Sequence, residues 1–130
     1  DLAREMAQKV LVDSERRGDR FGTGMMHLVL GGVELWSGHP GAAVGSASHA
    51  MACLRTDTDA VGMEQALTLS GRALIMGGDV RLGLDQIRQA LEVGRRTSTR
   101  FAQSVAQLAE VQLGQPGVLQ MKGQRQPDAC

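Results

Sequence analysis

Asp19-Arg20-Phe21-Gly22-Thr23-Gly24-Met25-Met26-His27-Leu28-Val29-Leu30-Gly31-Gly32-Val33-Glu34-Leu35-Trp36-Ser37-Gly38-His39-Pro40 reads as one helix and the turn that ends it. Apolar residues at Phe21, Met25, Leu28, Leu35 and Trp36 keep helical spacing. Asp19 is a capping type at the start, and Ser37-Gly38 is a stop. Pro40 then suits the first turn of a following helix, where its missing N–H costs nothing. Moved along by 40 residues, the landmarks return. Asp19-Arg20-Phe21-Gly22 falls on Asp59-Ala60-Val61-Gly62 and then on Thr99-Arg100-Phe101-Ala102. Gly31 falls on Gly71, Gly38 on Gly78, Ala50 on Ala90, and Arg55 on Arg95. In the third copy Gly38-His39-Pro40-Gly41 returns as Gly114-Gln115-Pro116-Gly117, four residues early, which is about one helical turn.

The rest of the chain fits the same scheme. Leu2, Met6 and Val10 form an i, i+4 stripe that ends at Arg16-Arg17-Gly18. Helices are expected from Phe21 to Trp36, Ala42 to Leu54, Val61 to Met76, and from a cap at Asp79 through Leu84, Ile87 and Leu91 to Arg95-Arg96. A sixth is expected from Phe101 to Leu113, and a short seventh at Val118 to Met121. No segment alternates with the period of a strand, so the fold class is all-α. Residues 1–121 then form one repeat domain, with units at 1–18 (partial), 19–58, 59–98 and 99–121 (truncated), and 122–130 is a flexible polar tail. Two helices per unit cannot bury an apolar face alone, so the units must stack.

The pattern Leu30-Gly31, Gly38, Ala43, Ala47 and Ala50 resembles the tetratricopeptide repeat, and Gly71, Leu74, Gly78, Gly83, Ile87 and Ala90 follow the same template. The departures are a spacing of 40 residues in place of the usual ~34, Glu34 where an aromatic is usual, and Ser70 in place of leucine. Long units of this kind resemble the repeat regions of large bacterial regulators (LuxR-type or SARP-type) and cyclases, which join an ATPase module to a DNA-binding or cyclase domain. Gly71-Arg72-Ala73-Leu74-Ile75-Met76-Gly77-Gly78-Asp79 and Leu108-Ala109-Glu110-Val111 carry that likeness. The resemblance implies a right-handed superhelical stack of antiparallel helix pairs, six to seven helices in all. It also implies a concave groove lined by the first helix of each pair.

Composition narrows the function. The 130 residues carry 14 Lys+Arg against 14 Asp+Glu, so the excess of positive charge that nucleic acid or an acidic membrane demands is missing. With only Phe21, Trp36 and Phe101 as aromatics, a platform for stacking bases cannot be built. No apolar run approaches the roughly 18 residues of a membrane span, and no signal peptide is recognisable. Cys53 and Cys130 form no C-x-x-C pair, which fits a reducing, cytoplasmic setting. A start on Asp1 reads as a processed product or an excised piece of a longer chain. The 17 glycines are unusual in helices, where each costs about 1 kcal/mol relative to Ala. Gly18, Gly38, Gly78, Gly94 and Gly114 are expected to stop or separate helices. Gly31 and Gly71 are expected to mark close approaches. Gly24, Gly32, Gly45, Gly62 and Gly83 are expected to weaken the helices that hold them.

Candidate chemistry is thin. His49 and Cys53 lie four apart on one helix and His27 on its neighbour, but a zinc site wants three or four ligands and no further donor is evident. Gly22-Thr23-Gly24 lacks the lysine of a phosphate loop and has no strand before it. Ser46, Ser48 and His49 have no acid to orient them, and Asp57 and Asp59 suit a turn. Arg16-Arg17 and Arg95-Arg96 complement helix C-termini. The expectation is a protein that is not an enzyme, with no metal and no cofactor. Its work is to hold a protein or peptide, a neighbouring domain, or a second copy of itself. By the resemblance, the groove set is Met25, Leu28, Gly32, Leu35 and Trp36, followed by Gln65, Thr68, Arg72, Ile75 and Met76. Arg72 is its one cation, suited to forking onto a carboxylate. The competing readings are that the methionines and Trp36 fill the core, or that the groove senses a small molecule.

Overall fold

The structure, a computed structural model, describes residues 2–112. Among the described residues there are helices only: α1 (Leu2–Arg17), α2 (Arg20–Trp36), α3 (Pro40–Cys53), α4 (Ala60–Met76) and α5 (Val80–Gln112). The all-α expectation therefore holds. The expected sixth helix is not separate, because α5 runs unbroken through Gly94 and Thr99, where a stop and a cap had been expected. The expected seventh helix and the polar tail lie outside the described residues. Chain contacts divide into two units, Asp1–Arg95 and Arg96–Cys130.

In the first unit the turns repeat at an interval of 40 residues. The Ser37 N–H reaches the Val33 carbonyl at 2.9 Å, and the Gly77 N–H reaches Ala73 at 2.9 Å. Gly38 bonds back to Leu35, and Gly78 to Ile75, both at 3.1 Å. His39 bonds to Glu34 and Asp79 to Leu74. Gly38 and Gly78 hold φ of +84° and +98°, the left-handed turn that ends a helix and that a side chain resists. Pro40 opens α3 as its first residue. The starts differ more than the ends. The Asp19 carboxylate accepts the Gly22 N–H at 2.8 Å and caps α2, worth about 1 kcal/mol. Asp59 instead accepts the Arg55 N–H at 2.9 Å and gives α4 no side-chain cap.

α1 packs on α2, α2 on α3 and α3 on α4, and α4 returns to touch α2. The core between them is built from alanine. Ala43, Ala47, Ala50 and Ala66 are fully buried, and Leu35, Leu54 and Leu67 add larger buried apolar chains. Small residues let backbones approach, and glycine lets them approach further. A Cβ on Gly31 would meet Ser46 of α3 and Leu69 of α4, and one on Gly71 would meet the Gly83 carbonyl of α5 at 2.8 Å. In the second unit, residues 96–112 of α5 leave Phe101, Val105, Leu108 and Val111 exposed.

Candidate functional site

The first unit carries a cavity of about 310 Å³ between α2 and α4, lined by Gly32, Leu35, Trp36, Leu69, Arg72 and Met76. Its floor follows from the core beneath it. Leu35 is buried with Ala43 of α3 and Ala73 of α4, and Leu69 packs against that cluster. Gly31 makes room for Leu69, since a Cβ there would sit 2.6 Å from the leucine's Cδ2. Gly32, the next residue, faces open space: a Cβ on it would meet nothing within 4 Å. The rim is the unusual part. Trp36 is 93% exposed and Met76 58%, although large apolar chains are ordinarily covered. Arg72 stands exposed on the same wall, and no carboxylate of the described residues forms an ion pair with it.

The expected groove residues separate into two sets. Leu35, Trp36, Arg72 and Met76, with Gly32, come together in the cavity. The others do not line it. Met25 and Leu28 pack against the buried cluster of Ala50, Leu54 and Ala66, so they are core residues of the α2, α3 and α4 contact. Ile75 points to α5, where a Cβ on Gly83 would lie 2.6 Å from its Cγ1. Thr68 spends its hydroxyl on the Glu64 carbonyl of its own helix at 2.9 Å, and Gln65 is exposed away from the lining. Leu69 was missed. It lies three residues before Arg72 and seven before Met76, so helical spacing alone puts it on their face.

A second feature lies across the α2 and α3 pair. The rings of His27 and His49 stand with centroids 4.9 Å apart and planes tilted by 50°. Burial pushes the His27 imidazole below its ordinary 6.5; the neighbouring His49 adds to this, and Glu15 opposes it. Ser46 and Ser48 share α3 with His49, and the ring that meets His49 is that of His27. Among the described residues no group of three or more His, Cys, Asp or Glu side chains is placed to hold a metal ion. A half-buried carboxylate, Glu34, is held by Arg4 at 2.8 Å and by the His39 ring at 3.0 Å, which ties α1 to the end of α2. No helix of the described residues is long and apolar enough to cross a membrane.

No protein-family model matches the chain, and no curated protein or solved structure does.

Proposed function

We propose that the chain is a non-catalytic protein-interaction module, a right-handed stack of tetratricopeptide-like helix pairs that binds a protein segment along the face shared by α2 and α4. The observation that carries this is the cavity between those helices with Trp36 93% exposed at its rim. An indole that covers about 150–250 Å² at ~25 cal/mol per Å² gains roughly 4–6 kcal/mol gross when a partner buries it. Arg72 supplies the polar half of the recognition by pairing with a carboxylate of the bound segment, which fixes its orientation. The resemblance of residues 71–79 to the helical regions of large bacterial ATPase-linked regulators supports a place in such a regulator, in the cytoplasm.

The test is to pan a displayed peptide library against the immobilised protein. Peptides that pair an acidic residue with a bulky apolar one are expected to be enriched, and Arg72→Glu is expected to weaken them tenfold or more. Gly32→Leu is expected to abolish binding without harm to the fold, because the new side chain enters open space. Peptides that bind both variants as tightly as the parent would contradict the reading.

A second reading has its own support in the volume of the cavity, about 310 Å³, since small-molecule sites begin at about 300 Å³. In that case a small carboxylate ligand fills the cavity and shifts the curvature of the stack, and a fragment screen rather than a peptide library yields the binders.

A further inference from the structure

We propose that His27 and His49 form a two-imidazole site for a late first-row divalent transition ion, a metal clamp across the α2 and α3 pair. Two observations carry it. The first is the separation of the rings. Two imidazoles bonded to one ion at about 2.1 Å, at a cis angle of roughly 100°, put their centres about 5 Å apart. The rings here stand at 4.9 Å.

The second observation is that the separation is built into the helix packing. Gly24 and Gly31 flank His27 by about one turn on either side, and both press α2 onto α3. A Cβ on Gly24 would lie 3.2 Å from the Cβ of Cys53, and one on Gly31 would lie 3.1 Å from that of Ser46. Gly31 with Ser46, His27 with His49, and Gly24 with Cys53 are therefore successive layers of one antiparallel contact. Two ligands on rigid helices lose little freedom when they bind an ion, whereas ligands on loops lose more.

Two nitrogen donors select the ion class. Imidazole suits Ni²⁺, Cu²⁺ and Zn²⁺, whereas Mg²⁺ and Ca²⁺ prefer oxygen. Two ligands leave the other positions to water, so the site binds reversibly and responds to metal supply. The Cys53 thiol lies one layer away and is not required.

The experiment uses the untagged chain, titrated with Ni²⁺ and separately with Zn²⁺ by calorimetry, with melting temperature as a second readout. One ion per chain is expected, with a rise in melting temperature that Mg²⁺ does not reproduce. His49→Gln, at an exposed position, is expected to abolish both effects, while His39→Gln and Cys53→Ser keep them. Binding is also expected to weaken tenfold or more once the pH falls below the imidazole range. Absence of saturable binding at millimolar Ni²⁺ would overturn the proposal. So would unchanged affinity in His49→Gln, or loss of binding in Cys53→Ser.

Discussion

Trp36 and Met76 are the last residues of α2 and α4, 40 residues apart, and neither is covered. The sequence cannot separate such residues from Met25 and Leu28. All four are large and apolar, and α2 is apolar around most of its circumference, so helical spacing leaves open which stripe turns to the core. What separates them is the partner helix: Leu54 and Ala66 cover Met25 and Leu28, and nothing among the described residues covers Trp36 to the same degree. Arg72 was easier to place, because a lone cation in an apolar row has to reach the surface. At this scale His27 predicts a dependence on pH. Its imidazole titrates below 6.5 in the folded chain and near 6.5 in the unfolded one, so between those values the unfolded chain binds more protons. Its contribution is therefore full above pH ~6.5 and is lost as the pH falls through the folded value. Thermal melts are expected to show melting temperature declining below that point, and His27→Gln is expected to remove that part of the decline. A parent and variant that fall in parallel would contradict it.

At the scale of elements, glycine marks contacts as well as ends. Gly31 and Gly71 are close-approach points, in agreement with the sequence reading. Gly83, which the sequence presents as a weak spot in α5, is the other half of the Gly71 contact. Gly94 shows the same ambiguity, since it lies inside α5 with the Glu64 carboxylate close to where its Cβ would be, and it does not end the helix. A glycine that ends a helix and one that admits a neighbour look alike in a sequence, and only the approaching backbone or side chain distinguishes them. Two substitutions of the same kind should thus have opposite signs. Gly71→Ala forces a Cβ against a carbonyl oxygen and is expected to cost about 1–3 kcal/mol through overpacking. Gly45→Ala meets nothing within 4 Å and is expected to add up to about 1 kcal/mol through helix propensity. Urea denaturation of both variants measures this, and a Gly71→Ala midpoint at or above the parent's would refute the close contact.

For the whole molecule, the proposed stack of helix pairs would bury its faces between neighbours and need cover on its terminal faces. In the first unit α1 leaves Leu2, Met6 and Val10 exposed; in the second, α5 leaves Phe101, Val105 and Leu108 exposed. An alanine-built core gains less from burial than a leucine-built one, so these open faces are expected to matter for stability. Light scattering at micromolar concentration is expected to report a mass above the 13.8 kDa of one chain. A stable monomer would contradict that expectation while leaving the cavity unaffected. The turn that recurs 40 residues apart at Gly38 and Gly78 was visible in the sequence, because a left-handed helix end favours glycine. The continuity of α5 was not, because Thr99 and Gly94 fit a break as well as they fit a helix.

Binding on the face between α2 and α4 is measured most directly with Trp36, the single tryptophan of the chain, as its own reporter. An acidic, apolar peptide selected on the protein is titrated in while indole emission is followed. A saturable blue shift is expected as the 93%-exposed ring is covered, lost in Gly32→Leu and weakened tenfold or more in Arg72→Glu. Emission that stays unchanged while a labelled form of the same peptide binds by anisotropy would show that the face between α2 and α4 is not where partners are held.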